Sequence, residues 1–331
     1  MSDVAPPLVS VRDLRVMFVS REATVSAVNG VSFDLARGEV LTILGESGSG
    51  KSVTLKAMMR LLPPRKSRIT GAVHIDGTEM LALDEGKLAD MRGTAVSMIF
   101  QEPMLAFDPV FTIGEQIVET ITRHEPVGHT AATRRALELL ELVQIPSAKR
   151  RLAAYPHELS GGMRQRAMIA LALSCRPSLL LADEPTTALD ATVQIQILLL
   201  LRQLQRELGM AVIFVTHDVG VAVEIADRVA VMYAGRFVET GPLAAVVGER
   251  RHPYTAGLLA STVHGAMRGR RLEAIPGAPP NLANPVVGCA FAPRCRHTVE
   301  ACRSGDVPEF WPASDHMARC LRAAPAPLAA D

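Results

Sequence analysis

The segment from Gly45 to Ser52, GESGSGKS, decides how the rest of the chain is interpreted. It matches the phosphate-binding pattern G-x-x-x-x-G-K-[ST] at every fixed position. The apolar run from Glu39 to Leu44 precedes it and predicts a buried strand. The stretch from Lys51 to Leu62 follows and predicts a helix that ends before two prolines. A strand, a glycine-rich loop and a helix in this order indicate a binding site for a nucleoside triphosphate.

Each residue type in this loop suits a triphosphate ligand. Glycines let the backbone curl so that its N–H groups face inward, and the helix N-terminus adds partial positive charge. The Lys51 ammonium would reach the β- and γ-phosphates, and the Ser52 hydroxyl would bind Mg²⁺. The residues predicted to contact ATP in this segment are Gly45, Glu46, Ser47, Gly48, Ser49, Gly50, Lys51, Ser52 and Val53.

Composition limits the possible partners. The 331 residues are enough for one large domain or two smaller ones. A net charge of +1 and an aromatic content of 4% argue against a nucleic-acid surface, so we expect no nucleic-acid partner. No apolar run approaches the length of a membrane span, and the start, MSDVAPPLVS, does not resemble a signal peptide. We therefore expect a cytoplasmic protein that acts on a membrane only through a partner.

The region before the phosphate loop contains a candidate aromatic contact. Val9 to Phe18 and Val25 to Leu35 predict strands of an antiparallel β region. The Phe18 ring could stack on adenine or could be an ordinary core aromatic, and spacing alone leaves both open. Further on, Val96 to Phe100 predicts a short strand that ends at Gln101. Gln101 could reach the metal or the attacking water, and a surface glutamine is the alternative.

A helical region follows, from Thr112 to Leu173, and it contains the segment LSGGMRQR. Ser160, Gly161 and Gly162 stand at the start of a long apolar helix. A helix N-terminus attracts anions, so this segment could bind phosphate. A simple N-cap with a flexible approach explains the same residues, and the motif alone does not separate the two.

Two later strands end in polar residues that suit phosphate chemistry. The apolar run from Leu179 ends at Asp183 and Glu184. We favour Asp183 as a Mg²⁺ ligand and Glu184 as the group that orients or deprotonates a water, over a solvated strand end. The next apolar run, Ala211 to Val215, is followed closely by His217. Ligands bind at the carboxyl ends of strands in open α/β sheets, which makes His217 a candidate contact.

These residues together resemble one family. GESGSGKS, Gln101, LSGGMRQR, LLLADEP, Ala188-Leu189-Asp190 and His217 occur in the order seen in ATP-binding cassette (ABC) transporter ATPases. The resemblance covers Val9 to Gly241. It implies an α/β P-loop NTPase fold with a RecA-like core, an antiparallel β subdomain and an α-helical subdomain at about 102–175. It also implies an ATPase domain at 1–249 and a cysteine-containing C-terminal extension at 250–331.

The family resemblance also implies roles and a dimer. In this family two domains enclose two ATP molecules, each between the phosphate loop of one subunit and the Ser160–Gly162 segment of the other. Glu184 resembles the general base, and Lys51 belongs to the catalytic set. His217 would contact the γ-phosphate, and Gln101 would couple metal or water to the membrane partner. Phe18 aligns with the adenine-stacking aromatic, and Asp190 with the dimer interface. With one loop and one LSGG, the chain must pair with itself or with a related ATPase.

A narrower resemblance lies in the last third of the chain. Three segments there are similar to the C-terminal extension of dipeptide and oligopeptide importer ATPases: Arg251 to Thr255, Ile275 to Pro280 and Gly288 to Cys295. Earlier in the chain, Met98 to Gln116 is similar to the same subfamily. The run Leu105 to Asp108 departs from that subfamily, in the coupling loop rather than the ATP site.

The narrower resemblance implies a peripheral protein at the cytoplasmic face of the membrane. Its partners would be two integral membrane permease subunits, a second ABC ATPase subunit and, indirectly, a peptide-binding protein. Nickel or glutathione are alternative cargoes. A soluble ABC ATPase that acts on DNA or ribosomes is a further alternative, which the single domain and near-zero charge disfavour. A non-catalytic subunit is disfavoured because Lys51 and Glu184 are both present.

The tail also contains a cysteine group, Cys289, Cys295, Cys302 and Cys320, in a proline-rich segment that would benefit from a metal clip. The cysteines are separated by five, six and seventeen residues, which is not the close pairing typical of structural zinc. We expect a [4Fe–4S] cluster, as some members of the importer subfamily have, with zinc as the alternative and four free thiols as a third possibility. His297 and His316 could substitute as ligands, but we expect both at the surface. Cys175 is expected to be a core thiol on the helix after LSGG.

Overall fold

The computed structural model describes residues 6–187, 189–261 and 274–323. Ala188 and the parts 262–273 and 324–331 of the predicted extension lie outside the described residues. The strands are β1 (Val9–Val19), β2 (Thr24–Leu35), β3 (Val40–Leu44), β4 (Ser67–Ile75), β5 (Thr78–Glu79), β6 (Val96–Ile99), β7 (Leu179–Asp183), β8 (Ala211–Thr216), β9 (Arg228–Tyr233), β10 (Arg236–Pro242), β11 (Phe310–Ala313) and β12 (His316–Ala318).

The helices of the described residues are α1 (Lys51–Met58), α2 (Glu85–Thr94), α3 (Ile113–His124), α4 (His129–Leu142), α5 (Ala148–Arg151), α6 (Gly161–Ala172), α7 (Ala191–Leu208), α8 (Val219–Ile225), α9 (Leu243–Glu249) and α10 (Pro253–Ala260). Short 3₁₀ turns occur at Pro103–Leu105, Pro156–Glu158, Ala292–Arg294 and Glu300–Arg303. In the part of the chain that the structure describes, no helix is both long enough and apolar enough to span a membrane.

Helix α1 is shorter than the sequence predicts. The expected helix runs to Leu62, but α1 ends at Met58. Arg60 takes a left-handed conformation with φ 51°. The Arg60 and Leu61 N–H groups then close back on the Ala57 and Lys56 carbonyls, at 2.9 and 2.8 Å. These bonds satisfy the last carbonyls, so the helix ends before it reaches the two prolines.

The chain forms two compact units. The first comprises Met1–Ser10, Asp34–Glu39 and His74–Phe214. In it β6 and β7 pair in parallel, and β8 is the next strand along from β7. Every residue of β7 is buried, as its continuous apolar sequence predicts for a strand covered on both faces.

The helices of the first unit pack through apolar faces. Helix α3 contacts α4, and α6 contacts both. Helix α3 begins with a capping box in which the Thr112 hydroxyl accepts from the Glu115 N–H and the Glu115 carboxylate accepts from the Thr112 N–H. Its buried side is formed by Ile113, Ile117 and Ile121, which recur at helical spacing. The sequence therefore predicted this helical region correctly.

The second unit comprises Val11–Phe33, Val40–Val73 and Val215–Asp331. Within it β2, β1 and β4 are neighbours in that order. A separate run of strands has the order β11-β12-β10-β9-β3, with β3 parallel to β9 and the other pairs antiparallel. The sequence from Arg228 to Thr240 predicts a β-hairpin turned at Ala234-Gly235. The structure has this β9–β10 hairpin, with φ values of 50° at Ala234 and 78° at Gly235. The proline-rich tail thus supplies two strands, β11 and β12, which its sequence did not predict.

A buried polar group ties the tail to β10. The Glu239 carboxylate accepts from the backbone N–H groups of Arg251 (2.8 Å) and His252 (2.9 Å), and His316 Nε2 lies 2.9 Å from Glu239 Oε1. Glu239 and His316 are both buried. The expectation that His316 lies at the surface is therefore wrong, because a partner 77 residues earlier holds it in the interior.

Candidate functional site

The phosphate loop of the second unit lies between β3 and α1, as predicted. Its glycines are required by close backbone contacts rather than by flexibility alone. A Cβ on Gly45 would lie 2.3 Å from the Met232 carbonyl oxygen, and a Cβ on Gly50 would lie 2.5 Å from the Ala27 carbonyl oxygen. Gly50 has φ 107°, a conformation that only glycine adopts readily. Gly48 has φ 78°, and a Cβ added there would have no other atom within 4 Å, so that side of the loop is open.

The polar side chains of the loop fit an anionic ligand. The Lys51 ammonium is buried and donates to the carbonyl oxygens of Gly45 (2.7 Å) and Glu46 (3.0 Å). The buried Ser49 Oγ has no hydrogen-bond partner among the described residues. Ser47 is exposed, and Ser52 and Val53, in the first turn of α1, are half-buried. A lysine held beside an open loop at a helix N-terminus is the arrangement that binds phosphate oxygens.

The acidic pair lies in the first unit, where β7 ends. Asp183 is its last residue and is buried. Glu184 is half-buried and takes a left-handed conformation with φ 46°, and its Oε2 accepts from the Thr187 hydroxyl at 3.0 Å. This change of backbone direction makes the two carboxylates project differently, as two separate roles require.

The LSGG segment forms an exposed helix N-terminus in the same unit. Ser160 caps α6, with its hydroxyl accepting from the Met163 N–H at 3.4 Å. Asp190 caps α7 and accepts from the Val193 N–H at 3.0 Å. A Cβ on Gly162 would lie 3.0 Å from Val193, so the first turns of α6 and α7 lie close together. Gly161 has open space around it. Both the N-cap and an anion site are compatible with this geometry.

The remaining predicted contacts lie at the ends of strands. Gln101 follows β6 in the first unit and is exposed. His217 follows β8 in the second unit and is also exposed. Phe18, on β1, is half-buried and is not among the fully buried core aromatics, which fits the stacking interpretation better than the core one.

The structure does not support the predicted metal centre, whether iron–sulfur or zinc. Within residues 6–187, 189–261 and 274–323, no three His, Cys, Asp or Glu side chains are grouped so that they could hold a metal ion. The four tail cysteines nevertheless line one small cavity, together with His252, His297 and Thr298. Cys175 is a buried thiol as expected, although it lies just beyond the end of α6 rather than on it.

Burial in this cavity favours the protonated form of three of its thiols. Burial raises the pKa of Cys289 and Cys295, and it raises the pKa of Cys320 to about 11. Burial lowers the pKa of His252 to about 4, and its Nδ1 accepts from the Tyr254 N–H at 3.0 Å. The ring is therefore neutral near pH 7 and carries its proton on Nε2, an atom with no hydrogen-bond partner in the described part of the chain.

Sequence reasoning missed two residues that touch the phosphate loop. Tyr254 and Arg294 both contact Glu46 from the C-terminal part of the chain. Neither belongs to a nucleotide-binding pattern. The available signal was indirect, because both residues stand inside the tail segments that resemble importer ATPases.

Comparison with known proteins agrees with the descriptions of both the phosphate-loop region and the C-terminal part of the chain. A family model described as ABC transporter matches residues 28–187. A second, described as the oligopeptide/dipeptide transporter C-terminal region, matches residues 238–302. A Brucella melitensis protein named as a peptide import ATP-binding protein is 48% identical over 328 residues, covering 96% of this chain and 97% of its own. The dipeptide transport ATP-binding protein DppD of Bacillus subtilis is 47% identical over 296 residues, 89% of this chain and 88% of its own.

Solved structures show the same fold. The dimeric ATP-binding cassette MJ0796, solved bound to ADP and phosphate, has a TM-score of 0.64 and 30% identity over 71% of this chain and 98% of its own. The fold and the phosphate loop thus define a P-loop ATPase of the ABC type. The chain belongs to the ABC transporter family, in its oligopeptide/dipeptide branch.

The close contact at Gly45 generates a test of the loop. We expect Gly45→Ala to weaken ATP binding by about tenfold or more. The added methyl group would collide with the Met232 carbonyl oxygen, and that backbone is held by close packing. Titration of the purified chain with a fluorescent ATP analogue measures the affinity. Gly48→Ala is the matched control, because its added methyl group lies in open space. Its left-handed backbone should lower the free energy of unfolding by about 1 kcal/mol. Equal affinities for the Gly45→Ala variant and the wild type would show that the contact is unimportant.

Proposed function

We propose that the chain is the ATP-hydrolysing subunit of an ABC importer that energises uptake of dipeptides or oligopeptides. One observation carries the proposal: a phosphate loop with every required residue precedes, in one chain, a C-terminal region of the oligopeptide/dipeptide transporter type. The loop binds ATP, and the C-terminal region indicates that the transported solute is a dipeptide or an oligopeptide. The names of the relatives as peptide import and dipeptide transport proteins support the same assignment.

Different residues of the chain have separate roles in binding and hydrolysing ATP. Backbone N–H groups of Gly45 to Val53 cradle the phosphates, and the Lys51 ammonium neutralises their charge. Ser52, Gln101 and Asp183 would hold Mg²⁺, which when bound would neutralise part of the phosphate charge. Phe18 stacks on adenine, and His217 contacts the γ-phosphate.

Glu184 is the proposed general base. Its carboxylate accepts the proton of the attacking water, and its half-buried position at the end of β7 keeps it accessible to that water. The backbone turn at Glu184 separates it from Asp183, so one carboxylate serves the metal and the other the water.

The proposed working form is a dimer with membrane partners. Each site takes its phosphate loop from one subunit and Ser160, Gly161 and Gly162 from the other, with Asp190 at the interface. The second subunit is an identical or related ABC ATPase. Two integral membrane permease subunits bind this dimer at the cytoplasmic face of the membrane and respond to its conformational change. A peptide-binding protein delivers the peptide to the permease subunits. We assign residues 1–249 to the ATPase domain, with 102–175 as its helical part, and 250–331 to the extension.

Replacing the proposed base tests the catalytic assignment. We expect Glu184→Gln to bind ATP with the wild-type affinity but to hydrolyse it at least about 100-fold more slowly, because the amide cannot accept the proton. Steady-state phosphate release and nucleotide titration on the same preparation measure both quantities. Glu224→Gln, which changes an exposed carboxylate on α8, should leave both unchanged. Normal hydrolysis by the Glu184→Gln variant would remove Glu184 from this role.

Although no three His, Cys, Asp or Glu side chains in the described residues are grouped to hold a single metal ion, we also propose, as a second function, that the cysteine cavity would hold a [4Fe–4S] cluster. In such a cluster each thiolate binds a different iron, so a wider spacing than a single ion requires is suitable. All four cysteines line the cavity, and the buried His252 Nε2 and Thr298 Oγ1 there have no hydrogen-bond partner in the described residues. Both atoms could donate to cluster sulfur. The raised thiol pKa values mean that loading must release protons.

Metal analysis tests this second function. We expect chain purified without oxygen to be brown and to contain about four iron atoms. Replacing Cys302 and Cys320 by serine together should abolish the colour, whereas Cys175→Ser should preserve it because Cys175 does not line the cavity. Colourless protein, or protein containing zinc instead, would contradict the cluster.

A further inference from the structure

The side chain of Glu46, the second residue of the phosphate loop, is held by Arg294 from the C-terminal part of the chain. Arg294 Nη1 donates to Glu46 Oε2 at 2.7 Å, and Arg294 Nη2 donates to Glu46 Oε1 at 2.9 Å. The Arg294 side chain is 5% exposed, so water screens this pair little. Two parallel charge-assisted bonds fix orientation as well as distance, which a single ammonium group could not do.

Arg294 is itself fixed in place. Its Nε donates to the Pro276 carbonyl at 2.8 Å, and its Nη1 lies 3.2 Å from the Tyr233 hydroxyl. The guanidinium carbon lies 5.8 Å from the ring centroids of both Tyr233 and Phe291. Because the guanidinium is held on several sides, it can transmit position to the loop rather than follow it.

A second contact holds the backbone of the same loop residue. The Glu46 N–H donates to the Tyr254 hydroxyl oxygen at 2.8 Å. Tyr254 is fully buried, with its ring 4.5 Å from that of Tyr233 and 5.4 Å from that of Phe291. Burial raises the pKa of Tyr254, so the hydroxyl stays neutral. Both the side chain and the backbone of Glu46 are therefore anchored by residues that follow β10.

We propose that Arg294 is a positioning residue of the nucleotide site, which holds the first turn of the phosphate loop in its binding shape through Glu46. The inference rests on the proposed ATPase function and extends it to the C-terminal part of the chain. The loop must keep its N–H groups aimed at the phosphates before ATP arrives, and preorganisation of this kind contributes to affinity. Arg294 stands between Cys289 and Cys295, so the segment that lines the cysteine cavity is the one that reaches the phosphate loop.

The alternative is that Arg294 only fastens the tail to the rest of its unit. The two interpretations differ in what Glu46 does. If the ion pair shapes the loop, loss of either partner should weaken ATP binding equally, and loss of both should cost no more than loss of one. If Arg294 only supports the fold, its loss should lower thermal stability without changing the affinity for ATP.

The experiment compares Arg294→Gln, Glu46→Gln and the double variant in the full chain. A fluorescent ATP analogue with Mg²⁺ gives the affinity of each, and thermal unfolding is recorded alongside. We expect each single variant to bind about tenfold more weakly than the wild type, the double variant to match the singles, and Arg294→Lys to recover only part of the loss. Asp306→Asn is the control, because it breaks the exposed Arg236–Asp306 ion pair (3.0 Å) without touching the loop, and it should bind as the wild type does.

Several results would overturn the proposal. Wild-type affinity in Arg294→Gln, or losses that add in the double variant, would each show that the pair does not shape the loop. Should Arg294→Gln fail to fold, Glu46→Gln alone decides, and wild-type affinity in that variant overturns the proposal. Failure of the wild type itself to bind ATP would instead contradict the proposed ATPase function.

Discussion

Close backbone packing around the phosphate loop is the constraint on which the rest of the site depends. The loop can pass β9 and β2 only because Gly45 and Gly50 have no side chains, since added carbon atoms would lie within 2.3 and 2.5 Å of neighbouring carbonyl oxygens. That passage brings the Lys51 ammonium against two loop carbonyls and leaves Gly48 open. The path of the loop between strand and helix is therefore set first by main-chain atoms that lie too close for a side chain at Gly45 or Gly50.

The C-terminal part of the chain is not a separate appendage of this cradle. Its residues contribute a buried aromatic group, Tyr254 and Phe291 against Tyr233, and an arginine that reaches the loop. The buried Glu239 carboxylate fixes the start of α10 through two backbone N–H groups. Because an unpaired buried N–H group destabilises the folded state, these hydrogen bonds fix the position of the residues at the start of the tail. The role proposed for Arg294 would let this tail alter nucleotide affinity without any change in the phosphate loop itself.

Local signals in the sequence were sufficient for the elements that carry chemistry. The glycine spacing of the phosphate loop, the apolar run before Asp183 and the Ala234-Gly235 turn each depend on a few adjacent residues, and the structure agrees with all three. Apart from the early end of α1, the misses have a common cause. His316, strand β12 and the Glu46–Arg294 pair depend on partners that are far away in the chain, and β11 forms by pairing with β12. No periodicity or spacing rule reports such contacts, because burial there is decided by tertiary packing.

Uptake of labelled peptide by intact cells tests the central claim most directly. The account predicts that cells whose sole copy of this chain carries Lys51→Ala take up a labelled dipeptide or oligopeptide only at the background rate. It also predicts that supplying the wild-type chain restores uptake, because the Lys51 ammonium is needed to bind the phosphates that drive the cycle. Undiminished uptake in cells with Lys51→Ala, for short and longer peptides alike, would contradict the account.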